Sequence, residues 1–292
     1  MSIVRQLMEI EGAGAHPQGG GTIALSDELR HCRLSLAPNA TLPHTVLDRY
    51  ALLGRAAAQR NDMVTLYELA TAVAECYNGT DWTMGHTAQV PEEVAAIRTV
   101  LGTRERSGWR TICEAGFNAG HSAIMWLQMT DANLVEFDAA MLPYHQGSRS
   151  FLEAVYPQRI SFHIGNSRVT YFDHAAVVAR GEHATCDLSF IDALHIGRGP
   201  HRDLRNALTA SNDGAEAGWL FADDCTNRFP EVRKAFAGLA RDGSVQSNYT
   251  RSWVRMPFPA GLKGWCYGKV NAAAVRKARE RHRRGEATSR SP

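Results

Sequence analysis

Asp192, Asp223 and Asp224 each follow a short apolar run, and His195 lies three residues beyond Asp192. Carboxylates gathered at neighbouring strand ends repel one another unless a cation or a proton offsets the charge. An all-oxygen set suits a hard divalent ion such as Mg²⁺, which lowers the pKa of an oxygen bound to it. A histidine of ordinary pKa, about 6.5, is largely neutral at pH 7 and can take the proton that such an oxygen gives up. Asp192, Asp223 and Asp224 are therefore the candidate metal ligands, and His195 with Asp192 the candidate catalytic pair. Plainer readings stand beside these: Asp223 as a helix cap and His195 as a surface histidine.

A second constellation is Glu114-Ala-Gly116-Phe-Asn118-Ala-Gly120, placed after the apolar run Thr111–Cys113. Glycines at a strand-to-helix turn let backbone N–H groups approach a ligand closely. The glycines are four apart, and an acid precedes them by two, unlike the G-x-G-x-x-G dinucleotide pattern. Glu114 would repel a diphosphate and attract a cationic amino-acid head group, which favours a sulfonium cofactor over NAD. Asp138 follows the next run and can accept hydrogen bonds from ribose hydroxyls. Gly165-Asn166-Ser167 follows the third and suits an adenine edge.

These residues need a scaffold that collects strand ends. Five apolar runs, Thr111–Cys113, Leu134–Phe137, Ile160–Ile164, Leu188–Ile191 and Trp219–Ala222, alternate with helical patterns. Such alternation predicts an α/β fold with a mostly parallel Rossmann-like sheet, whose ligands bind at the carboxyl ends of the strands. Ser244–Tyr249, Trp253–Met256 and Gly264–Val270 predict an antiparallel closing hairpin. Residues 1–105 read as a helical cap or lid. It has stripes at Leu47, Tyr50, Ala51 and Leu53, at Leu66, Leu69, Ala70 and Val73, and at Val94, Ile97, Val100 and Leu101 behind a Pro91-Glu-Glu start. Within it, 10–22 read as a loop, and 78–87 as a polar loop in which Trp82, Met84 and His86 could meet substrate, together with Trp253. Residues 106–275 form the expected cofactor-binding domain. Residues 276–292, with seven Arg or Lys and almost no apolar content, read as an unfolded basic tail.

Hydrophobic content of 44% and charged content of 21% are those of an ordinary globular protein, and a net charge of +2 gives no case for nucleic acid. No run is long and apolar enough to span a membrane. Six scattered cysteines without a C-x-x-C pair read as reduced, buried thiols of a cytoplasmic protein. His121 is expected to face solvent.

Taken together, the segment Glu114–Ala123, Asp138, Gly165–Ser167, Phe190–His195 and Phe221–Cys225 resemble the class I S-adenosylmethionine-dependent methyltransferases. The closest pattern is that of the cation-dependent, catechol O-methyltransferase-like enzymes, and it covers roughly 111–239. The resemblance implies a cofactor site of Glu114, Gly116, Asn118, Gly120, Ser122, Asp138, Asn166, Ser167 and Asp192, with Ser122 at the methionine carboxylate. It also implies a small-molecule acceptor, methylated on a hydroxyl, and a dimer contact through the N-terminal helices. This chain has histidine at 195 where the family commonly has lysine, and Asp224 where it commonly has asparagine. A metal-independent transfer to a small amine, a non-catalytic cofactor-binding protein and, least, an NAD oxidoreductase are the competing readings.

Overall fold

A computed structural model describes residues 44–78, 93–95, 97–98, 108–215, 217–246, 252–255 and 262–285. Two helices come first, α1 (His44–Gln59) and α2 (Met63–Asn78). Strands and helices then alternate as β1 (Thr111–Ala115), α3 (His121–Met129), β2 (Asn133–Asp138), α4 (His145–Val155), β3 (Ile160–Ile164), α5 (Ser167–Ala179), β4 (Leu188–Ile191), α6 (Gly199–Ala210), β5 (Trp219–Ala222) and α7 (Pro230–Arg241). The chain closes with β6 (Val245–Gln246), β7 (Ser252–Arg255), β8 (Leu262–Val270) and α8 (Ala272–Arg283).

The five expected runs are the five parallel strands, ordered β3-β2-β1-β4-β5. β8 lies antiparallel against β5, and β6 and β7 pair antiparallel with β8. The Rossmann-like sheet with an antiparallel end is thus the observed fold. Its order reverses between β1 and β4, so the crevice for a ligand opens at their carboxyl ends.

Strand alternation sorts the side chains onto two faces. Ile112, Leu134, Leu188, Phe190 and Phe221 join a core with α1 to α4, while Cys113, Ala115, Phe137, Ile191, Leu220 and Ala222 join one with α5 to α8. On α7, Val232, Ala235, Phe236 and Leu239 are buried at helical spacing, and Pro230 sits in its first turn. α3 differs, because His121 to Leu127 are all buried. A helix buried on every side must be covered twice, by the sheet and by another layer. α2 supplies that layer: Leu66, Leu69, Ala70 and Val73 have no exposure and lie in the same core. The described part of the N-terminal region is therefore packed into the domain. Trp82, Met84, His86, residues 10–22, and Val100 and Leu101 of the third stripe lie outside the described residues, as does the side chain of Trp253.

Three expectations are corrected. Residues 276–283 are not unfolded but continue α8, which docks on α5 and α6. Val275 is fully buried, and the Arg279 guanidinium donates to the Thr209 and Ser211 carbonyls and to Asp213 at 2.8 Å. The cysteines are not free thiols: Cys113–Cys186 and Cys225–Cys266 are disulfides, and Cys76 is also bonded. His121 is buried, with Nε2 2.9 Å from Thr71 Oγ1 on α2.

Candidate functional site

β1 ends in Glu114 and Ala115, and the chain turns through Gly116 and Gly120 into α3. Gly116 has φ +109, and a Cβ there would lie 2.2 Å from the Asp192 carbonyl oxygen. Only glycine lets the ends of β1 and β4 approach this closely. Gly120 caps α3 at φ +84, where a Cβ would strike Leu152 and Phe117. Asn118, at φ 52, is also left-handed, and its Oδ1 accepts from the Tyr144 hydroxyl at 2.6 Å. The loop is thus held open by backbone geometry that α4 and β4 brace from outside.

Glu114 is fully buried, and among the described residues neither of its carboxyl oxygens has a hydrogen-bond partner. Register places Glu136 of β2 directly beside it, equally buried and equally unsatisfied. Burial first, and then the charges of Asp192 and Asp138, push the Glu114 pKa up to about 8, against the lowering by polar interaction with Glu136 and Ser122. Glu136 is raised further still by burial and by Glu114. Two uncompensated carboxyls in one apolar layer hold a proton or wait for a cation. Glu136 escaped the sequence reading because it sits inside an apolar run. The β1–β2 register is the one signal that marks it.

Asp138 holds the next corner. Its carboxylate accepts from the Phe117 N–H at 2.9 Å and the Ala140 N–H at 2.6 Å, and lies 3.5 Å from His145 Nε2. It therefore ties the glycine loop to the loop after β2 and keeps free lone pairs at the crevice. Asn166 and Ser167 stand less squarely in the site. Asn166 caps α5 by accepting from the Arg168 N–H, and Ser167 Oγ donates to the buried Asp203 at 3.1 Å.

Across the switch point, Asp192, His195 and Asp224 converge, with a ligand atom from each lying within 4.8 Å of the others. His195 Nε2 is 3.1 Å from Asp192 Oδ1 and 3.4 Å from Asp224 Oδ2. Asp223 stands behind them, buried, its Oδ1 accepting the Asp224 N–H at 2.7 Å. Asp224 is held at φ 52, a left-handed conformation that costs about 1–3 kcal/mol and recurs at functional sites. Burial pulls the His195 pKa down, but the Asp192 hydrogen bond and the charges of Asp192, Asp224 and Asp223 outweigh it and hold the imidazole above its ordinary value. Without a bound cation it is thus more protonated at pH 7 than the sequence reading supposed. The Phe229 ring lies against it at 4.7 Å, and Leu194 and Ile196 on either side are exposed.

Residues 113–225 match the family described as a methyltransferase domain. Among solved structures, the O-methyltransferase TomG from Streptomyces achromogenes, involved in tomaymycin synthesis and seen with S-adenosylmethionine, is 19% identical at a TM-score of 0.50, over 70% of this chain and 88% of that one. The O-methyltransferase from Bacillus cereus, seen with S-adenosylhomocysteine, is 16% identical at a TM-score of 0.50, over 84% and 97%. No curated protein matches the chain significantly in sequence. The fold is that of these two methyltransferases, and the segment from Cys113 to Cys225 is the part that matches the methyltransferase-domain family.

Proposed function

We propose that the chain moves the methyl group of S-adenosylmethionine to a hydroxyl oxygen of a small molecule, assisted by a divalent cation and by His195 as base. The observation that carries this reading is the Asp192–His195–Asp224 cluster, facing the glycine loop across the β1–β4 crevice. The orphaned Glu114 carboxyl suits the donor's cationic amino-acid end, and the N–H groups of the Gly116–Gly120 turn suit its carboxylate with Ser122. Asp138 suits the ribose. The two solved relatives named above are themselves described as O-methyltransferases.

S-adenosylmethionine supplies a methyl group already activated on a sulfonium. The protein's work is then alignment and activation of the acceptor, and alignment alone can supply several kcal/mol. Asp192 and Asp224 offer hard oxygen ligands to a cation, with Asp223 fixing the Asp224 backbone from behind. With Nε2–H donated to Asp192, His195 takes the hydroxyl proton at Nδ1, and the two carboxylates stabilise the resulting imidazolium. Leu194, Ile196 and Phe229 give the acceptor's carbon frame an apolar bed beside the base. This favours a hydroxylated, largely apolar or aromatic acceptor.

Turnover on a panel of hydroxylated aromatic compounds tests the reading. His195→Gln should lower kcat about 10²- to 10⁴-fold, the usual worth of a general base. Chelation with EDTA and Asp224→Ala should each reduce activity to background, with Mg²⁺ restoring the chelated enzyme only. Activity that survives both treatments favours metal-independent transfer to an amine. The titration of His195 itself adds a signed check. In EDTA the ionisation of His195 lies above 6.5, raised by its carboxylate neighbours. A cation that neutralises those carboxylates removes the cause, so in an NMR titration of the His195 ring adding Mg²⁺ should move the ionisation to lower pH. A titration that stays in place separates the cation from this histidine.

A further inference from the structure

On the opposite face of the sheet, the Cys113–Cys186 sulfurs and His174 Nε2 of α5 meet in one buried cluster. The imidazole nitrogen is 3.9 Å from one sulfur and 4.0 Å from the other. Both cysteines are fully buried and His174 is 5% exposed. The other ring nitrogen, Nδ1, has no hydrogen-bond partner among the described residues. A buried imidazole with one nitrogen orphaned and the other facing only sulfur is poorly satisfied by the protein alone. Burial and the neighbouring His163 and His183 push its pKa down to about 4, so it keeps a free lone pair at neutral pH.

A route reaches this cluster from solvent. A cavity of about 260 Å³ lies at the starting ends of β1, β2 and β3, the end of the sheet opposite the glycine loop. His174 and the exposed His183 both line it, together with Thr111 and Arg159. The rings of His163 and His183 stand 5.7 and 5.8 Å from that of His174. One imidazole and two sulfurs within contact distance form a soft, nitrogen–sulfur donor set, the kind that selects zinc over magnesium or calcium.

We propose that Cys113, Cys186 and His174 form a transition-metal site opened by reduction of the disulfide. A dithiol reductant cleaves the S–S bond, giving two cysteine thiols and the oxidised, cyclic disulfide of the reductant. Zn²⁺ then binds both sulfurs as thiolates and His174 Nε2 as the third ligand, with release of the two thiol protons. The fourth position opens toward the cavity, to water or to His183. This assignment stands apart from the methyl-transfer reading, since it uses none of its residues.

Cobalt(II) titration of the full-length chain tests it, because a thiolate bound to Co²⁺ gives a near-ultraviolet charge-transfer band that a carboxylate or imidazole does not. Protein reduced and freed of reductant anaerobically should develop the band to one equivalent, and zinc should displace the cobalt. Air-oxidised protein should show no band. His174→Ala leaves both cysteines in place and should weaken cobalt affinity at least tenfold, and Cys113→Ser should remove the band. Circular dichroism of each variant checks that it remains folded. The ligand set is overturned if the reduced wild type shows no band. It is equally overturned if His174→Ala or Cys113→Ser titrates as the wild type does, since the band then belongs to other thiols.

Discussion

Glu114→Gln is expected to weaken S-adenosylmethionine binding by about 100-fold or more while making the unliganded protein more resistant to heat at pH 8. Both effects come from one buried, unsatisfied carboxyl. Its folded-state pKa lies above the unfolded value near 4.5, with burial as the main cause. Above that unfolded value the native state holds a proton that the unfolded chain has lost, so stability falls as pH rises. Glutamine resembles the protonated acid in shape and hydrogen-bonding capacity but cannot ionise, and it removes this penalty. The gain should therefore be absent near pH 4 and grow toward pH 8. The same substitution removes the negative charge offered to the ligand's ammonium, a loss comparable to breaking a buried charge pair. Wild-type affinity should also rise between pH 6 and 7.5, by up to about tenfold per unit, because binding the cationic head group releases the Glu114 proton to solvent. Calorimetry across that range, run beside melting curves, reads all three effects. Equal affinity in the variant, or a melting difference that does not grow with pH, would refute the assignment.

The second large effect is steric. Gly116→Ala puts a methyl group 2.2 Å from the Asp192 carbonyl oxygen at a backbone φ of +109. Overpacking and left-handed strain each cost about 1–3 kcal/mol. Their sum is a large part of the 5–15 kcal/mol that holds a typical domain together. Relief would come by parting β1 from β4, which separates Glu114 from Asp192 and opens the crevice. A lower urea midpoint and a lost cofactor-binding signal are both expected. Gly181→Ala is the matched comparison: its φ is +79, yet nothing lies within 4 Å of the added carbon. It should show only the strain, with ligand affinity unchanged. A Gly116 variant no worse than Gly181→Ala would show that the close approach at β1–β4 is not required.

The sheet was legible in the sequence because both of its signals are local. Each parallel strand is a short run of apolar residues, and each run breaks off at the polar residue or glycine that the crevice needs. The placement of Asp192, His195, Asp223 and Asp224 after strand ends was legible on the same terms, but that His195 rather than Asp223 joins Asp192 and Asp224 was not. Features set by partners distant in the chain were not. Glu136 reads as an interruption of an apolar strand until register lays it beside Glu114. Asn166 and Ser167 lie where a ligand would be, yet helix capping and the buried Asp203 occupy their side chains. From Arg276 on, helix α8 holds Ala278 as its one apolar residue, so composition argued for an unfolded tail there. It is held by one buried valine and by Arg279 reaching the end of α6, contacts 66 to 70 residues away in sequence. Cysteine pairing depends on which strands become neighbours, and spacing along the chain carries no trace of that.

The two disulfides that join pairs of described cysteines also divide the chain in time. Cys113–Cys186 closes a loop of 73 residues, and Cys225–Cys266 one of 41 that begins only after the first has ended. The loops are consecutive and neither encloses the other. A ribosome making this chain would release Cys186 long before Cys266 exists, so the first cross-link could form within β1 to β4 before the second pair is complete. Where the chain is made under oxidising conditions, vectorial synthesis itself keeps these two pairs from exchanging partners. A chain refolded from full length has no such protection and would have to sort its cysteines by exchange, on the slower timescale of disulfide reshuffling.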